Sequence, residues 1–158
     1  MTLSGLSSAP VVARFPIGLV AAVAALVVMD QAMARLPEGA TPPRVAAGVL
    51  TRTHPDDAPA RLAAVAHYAA GLGTGLLFVY FSLLAETLLG GASALSVAAT
   101  TLVLYVLMVA FFVVVPLPRA PGLDQARRRG TARDWAASAA VYLTALVPAV
   151  IGLTLATA

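Results

Sequence analysis

Asp30 and His67 are ionisable residues that fall inside long apolar runs of this chain. Charge in such surroundings is costly and tends to be paired. Asp30 lies five positions before Arg35, and His67 lies six after Arg61. At ~1.5 Å of rise per residue, both sit roughly 7–9 Å inside the same edge of an apolar layer. A carboxylate and an imidazole at matched depth can share or pass a proton. They can equally form a plain hydrogen bond that fixes two helices to each other. Glu86, Tyr105 and Tyr142 are supporting polar residues. Glu86 is expected at the opposite rim as a solvated carboxylate, and the two phenols are expected to find buried partners. His54, Asp56 and Asp57 share one turn, but nothing fixes a fourth ligand, so no metal site is expected. No phosphate-binding, serine-hydrolase, zinc-protease or dinucleotide fingerprint occurs on a suitable element. Catalytic residues, metal and cofactor are therefore all absent from the expectation, and an enzyme is not expected.

These residues are carried by long apolar segments. The chain has 158 residues, 60% hydrophobic and 11% charged, against about 25% charged in an ordinary soluble domain. A helix needs about 20 apolar residues to cross ~30 Å of hydrocarbon. The periodicity and breaks predict one all-α domain over 1–158, an integral membrane four-helix bundle with spans at 15–34, 62–89, 94–115 and 135–157. The second span holds 24 residues without formal charge between Arg61 and Glu86. Within it His67, Gly71, Gly75, Ser82 and Glu86 step by 4, 4, 7 and 4, which puts them on one helical face. Gly71 and Gly75 form a small-xxx-small pair for close helix packing. Leu72, Leu76, Val79 and Leu83 lie off that face and suit lipid or apolar contact.

The breaks have local causes. Gly90-Gly91-Ala92-Ser93 must divide the 32 uncharged residues from Thr87 to Pro118 into a turn and a span. Pro116 and Pro118 end the third span. Thr131 and Asp134 have capping-box spacing at the head of the fourth, and Trp135 suits an interfacial anchor. In the first loop, Thr41 reads as an N-cap with Pro42 in first helical position. Val45, Val49 and Leu50 would be the apolar side of a short interfacial helix ending near Arg52. Asp57 reads as the cap of the helix carrying Pro59.

With four spans, the loops 35–61 and 119–133 share one side and hold nine of the ten arginines, leaving Arg14 opposite. The positive-inside rule assigns those loops to the cytoplasm and both termini to the outside of a cell membrane. Arg127, Arg128 and Arg129 beside a span are expected to contact anionic lipid headgroups. The net charge of +3 thus bears on topology, and nucleic acid is not an expected partner. Arg14, an apolar core and Ala32-Met33-Ala34 imitate a cleavable signal peptide. Asp30 beside the supposed cut favours retention of the first span.

At Val28-Met29-Asp30, Arg35-Leu36-Pro37 and Ala66-His67-Tyr68-x-x-Gly71, the chain resembles the YagU-like group of small uncharacterised prokaryotic membrane proteins. That resemblance covers the first two spans and implies a multi-pass inner-membrane protein without an assigned reaction. The leading expectation is an accessory or scaffold protein that self-associates or binds another membrane protein. The rival from another class is a small transporter, channel or proton-coupled permease using Asp30 and His67.

Overall fold

A computed structural model describes residues 10–157, and the expected lead before residue 10 and the final Ala158 lie outside the described residues. The described chain is all-α. Helix α1 is Val11–Met33, α2 is Thr41–Thr51, α3 is Ala60–Leu89, α4 is Ala94–Val114 and α5 is Gln125–Ala156, with single 3-10 turns at Pro55–Asp57 and Leu117–Arg119. Four of these, α1, α3, α4 with its 3-10 extension, and α5, are long and apolar enough to cross a membrane. Around the bundle α1 touches α3 and α5, and α4 closes the ring by packing on α3 and α5. The short α2 lies across the Arg-rich end, mainly on α3.

Helix ends follow local chemistry. Gly90 closes α3 with φ near +80°, a left-handed conformation that costs glycine nothing. Ser93 then starts α4 through a capping box: its hydroxyl accepts from Ser96 N–H, and the Ser96 hydroxyl accepts from Ser93 N–H. The first two spans begin at Val11 and Ala60, four and two residues before the expected starts, and three expected caps shift. The fourth spanning helix begins at Gln125, ten residues before the expected start. Its cap is Asp124, whose carboxylate accepts from Arg127 N–H, while Asp134 is interior and buried. The Thr131 hydroxyl instead donates to the Arg127 carbonyl one turn back, so the capping-box spacing there is coincidental. Helix α2 is capped at Ala40, with Thr41 already helical. Helix α3 is capped by Pro59 without help from Asp57, which sits in the preceding 3-10 turn. Helix α2 buries Thr41, Pro42, Val45, Ala47 and Gly48, and leaves Leu50 exposed. Its apolar side is therefore rotated from the expected Val45–Val49–Leu50 face.

The core joins Ala21, Ala22, Ala25, Leu26 and Met29 of α1 to Phe78 of α3, Leu104 of α4, and Tyr142, Leu143 and Leu146 of α5. Side chains donating to backbone carbonyls stitch the helices, between neighbours and across the bundle. Tyr142 OH donates to the Gly71 carbonyl at 2.7 Å, Trp135 Nε1–H to Met108 at 3.1 Å, and the Thr100 hydroxyl to Phe81 at 3.3 Å. Such bonds suit a medium that offers no water to the same donors.

Candidate functional site

Five of the candidate residues, Asp30, His67, Gly71, Gly75 and Glu86, lie along the seam between α1 and α3. Each contact steps about four residues back along α1 as it steps four forward along α3, which is what antiparallel neighbours with one facing stripe each must do. His67 Nε2 meets Asp30 Oδ1 at 2.7 Å. Leu26 lies over Gly71, and Gly18 and Ala22 lie over Gly75. Arg14 Nη1 reaches the Glu86 carboxylate at 2.8 and 3.0 Å. The seam is thus polar at both ends and apolar between, with Gly18, Ala22, Gly71 and Gly75 at its closest approach.

At the Arg-rich end, Asp30 gives both oxygens to α3: Oδ1 to His67 and Oδ2 to the Tyr68 hydroxyl at 3.1 Å. The two side chains are unequally sheltered, with Asp30 38% exposed and His67 9%. Asp30 opens to a surface cleft of about 330 Å³ that also meets Arg44, Ala60 and Tyr68. His67 lines both that cleft and a neighbouring apolar cavity. An ionised carboxylate only accepts hydrogen bonds, so it places the imidazole proton on Nε2 and leaves Nδ1 as an acceptor in the neutral ring.

In the middle, the glycines set the approach. A Cβ built on Gly75 would fall 2.6 Å from both the Gly18 carbonyl oxygen and Ala22 Cβ. On Gly71 it would run into the Leu26 side chain, and on Gly73 it would meet open space. Gly71 and Gly75 therefore pack within the chain, against α1. Val79, expected off the packed face, is buried against Gly18.

At the other end, the expected solvated Glu86 is instead held by Arg14, with side chains only 18% and 12% exposed. Arg14 and Glu86 are the only charged residues the sequence puts at that end, and that signal could have paired them. The Ser82 hydroxyl lies buried nearby without a hydrogen-bond partner, beside a cavity of about 40 Å³, room for one water. Tyr142 is fully buried with Gly71 as its partner. Tyr105 is half-buried against the core and hydrogen-bonds to no other described residue, so it takes no part in a polar interior.

Of the three arginines expected on lipid headgroups, two are held inside the protein. Arg127 Nη1 and Nη2 grip Asp56 at 2.7 and 2.8 Å, and its Nε reaches Glu38 at 3.1 Å. Arg128 donates to the carbonyls of Leu123, Ala120 and Pro118. Arg129 is exposed. The hydrogen bonds from Arg127 hold the Asp56 carboxyl below the usual carboxylate value. The buried carboxylate of Asp134 accepts from the Glu38 N–H at 2.9 Å, a tie between α5 and the first loop that sequence reasoning missed. Among the described residues, no cluster of three His, Cys, Asp or Glu could hold a metal. No family model, curated protein or solved structure matches the chain.

Proposed function

We propose that this is a small multi-pass membrane protein with a non-catalytic accessory or scaffold role, its Arg-rich loops cytoplasmic and both termini outside. One observation carries the choice of scaffold over permease: the seam is closed. Between Asp30–His67 and Arg14–Glu86 the facing residues are Leu26, Ala25, Ala22 and Phe78, all buried and all apolar. The polar groups near that stretch form no chain: Tyr142 OH is committed to the Gly71 carbonyl and the Thr74 hydroxyl to Ala70, and the unpartnered Ser82 hydroxyl lies at the far end beside Glu86. The Asp30–His67 pair then serves to fix α1 on α3. The small residues of this seam are consumed inside the chain, so a partner must use another face. The open groove between α4 and α5, bordered by Ala98, Thr101, Tyr105, Ala140, Thr144 and Pro148, suits a second copy or a partner's membrane helix.

Proteoliposomes carrying an internal pH dye test the choice. The expected result is proton leakage no faster than in empty liposomes after an acid pulse. A flux that the protein supports and Asp30→Asn abolishes would replace scaffold by permease. Since the chain contains no cysteine, Thr101→Cys cross-linked in native membranes reports the partner face directly. A disulfide-linked product is expected there, and its absence together with a monomeric chain in nanodiscs counts against self-association.

A further inference from the structure

We propose that the cavity beside His67 is a binding site for a ring-sized aromatic hydroxyl compound, a phenol or quinol headgroup, that enters from the membrane between α3 and α4. The inference uses only the membrane placement given above and would survive the scaffold role being replaced.

The cavity has a volume of about 160 Å³ and lies among all five helices at the Arg-rich end. An apolar cavity of about 150 Å³ in a protein interior stays dry and takes a benzene-sized guest. Its walls are Leu26 and Met29 on one side, Phe112 and Trp135 on another, with Pro42 and Pro43 of α2 as the floor. Ala70 of α3 and Phe111 of α4 also border it and are exposed, so it opens sideways between these two helices. The helices α3 and α4 are joined at the far end by the Gly90–Ser93 turn, and this opening lies where they are furthest from that junction.

Polarity narrows the guest. Three of the four polar side chains with a donor on the wall are already committed, two of them to neighbouring backbone: Tyr142 OH to Gly71 and Trp135 Nε1–H to Met108. Thr74 donates back to Ala70 within its own helix. His67 differs. Its side chain is nine-tenths buried and its Nε2 is held by Asp30, yet no described residue hydrogen-bonds Nδ1. His67 borders the cavity, and its unpaired Nδ1 is assigned to that side as the one acceptor of an apolar room of single-ring size. A hydroxyl on an aromatic ring matches both, and an alkane or a charged solute matches only one or neither.

Trp135 is the only tryptophan of the chain and lines the cavity, so its fluorescence reports occupancy. The full chain in nanodiscs is titrated with 4-bromophenol, whose bromine quenches tryptophan, and with its near-isostere 4-bromotoluene. Failure of the chain to enter the discs would speak against the membrane placement and is scored first. The expected result is saturable quenching by 4-bromophenol, with 4-bromotoluene binding about two- to tenfold more weakly, the range that one hydrogen bond spans. His67→Phe should remove that preference. Asp30→Asn keeps an acceptor for Nε2 and should leave the preference in place. Ala70→Phe fills the opening from an exposed position that folding tolerates, and should abolish saturation for both probes. A 2-bromo-4-octylphenol separates the two sources of such a ring. Tighter binding with the tail identifies a membrane-dissolved compound, and equal binding identifies a free solute; both keep the site. Quenching that rises linearly, is equal for the two probes and persists in Ala70→Phe is partition into lipid and overturns the proposal. Saturable quenching by a dibrominated phospholipid, blocked by Ala70→Phe, with no preference for phenol would assign the cavity to an acyl chain and overturn it equally.

Discussion

Gly71, Gly73 and Gly75 share one helix within five residues, yet replacing each by alanine should have three different outcomes. At Gly75 the new methyl would stand 2.6 Å from the Gly18 carbonyl oxygen and 2.6 Å from Ala22 Cβ. One of these is backbone and the other is attached directly to it, so α1 and α3 must separate. Overpacking of this kind costs about 1–3 kcal/mol, and the better helix propensity of alanine returns at most about 1 kcal/mol. At Gly71 the atoms nearest the methyl all belong to the flexible Leu26 side chain. Leu26 is buried, so it must leave its rotamer at a cost of about 0.5–1.5 kcal/mol, which the propensity gain roughly cancels. At Gly73 nothing lies within 4 Å, and the gain of up to about 1 kcal/mol stands alone. The expected order of stability is Gly73→Ala above wild type, Gly71→Ala near it, and Gly75→Ala below. Between the extremes lie roughly 2–3 kcal/mol. Reversible unfolding in mixed micelles, followed by circular dichroism, measures the order. A Gly73→Ala variant as unstable as Gly75→Ala would show that α3 turns a different face to α1, and the seam described here would be wrong.

Two further outcomes follow from the ties between elements. Tyr142→Phe should cost about 1 kcal/mol, the net worth of one hydrogen bond, because the Gly71 carbonyl keeps its own helical partner when the phenol is lost; an unchanged midpoint in the same unfolding assay would remove α5–α3 stitching from the account. Asp56→Asn should be less stable than wild type at neutral pH. The Asp56 carboxyl lies below its ordinary 3.8 because Arg127 binds the charged form, so its contribution is complete above that value and is lost as pH falls through the lowered one. The two melting curves should converge in acid well below 3.8, and a gap that persists there would show that Arg127 does not discriminate the charge.

Much of α3 was legible because its polar and small residues are rare enough to mark a face. The spacing of His67, Gly71, Gly75 and Glu86 survives intact as the line that packs on α1. The complementary line on α1 was not legible. Asp30, Leu26, Ala22, Gly18 and Arg14 also step by four, but Leu26 and Ala22 are indistinguishable from their neighbours in an alanine- and valine-rich run. Only contact with α3 singles them out. The head of α5 was misread for a different reason. Thr131 and Asp134 carry the residue types of a capping box, while the arginines before them suggested a loop. Arginine is a good helix former, and here Arg127 and Arg128 have partners in the loops that they face, so the helix extends back to a better cap at Asp124. Glu86 is expected to be solvated and is instead held by Arg14, since its partner lies 72 residues away and position along one helix does not choose between water and an arginine.

The Asp30–His67 contact admits a structural and a binding role at once, and the two are not rivals. Asp30 spends both oxygens on α3, which ties the helices and also locks the imidazole. A carboxylate that holds Nε2 dictates which nitrogen is left for a ligand, the same logic by which an outer partner sets the tautomer of a metal-bound histidine. The cleft that bares Asp30 and the cavity beside it are both lined by this one ring. Disturbance of the carboxylate from the cleft side therefore reaches the cavity through a single imidazole, without any movement of the helices. That separates the roles by experiment: Asp30→Ala, which removes the lock, should weaken both the fold and phenol binding, whereas Ala70→Phe should remove binding alone.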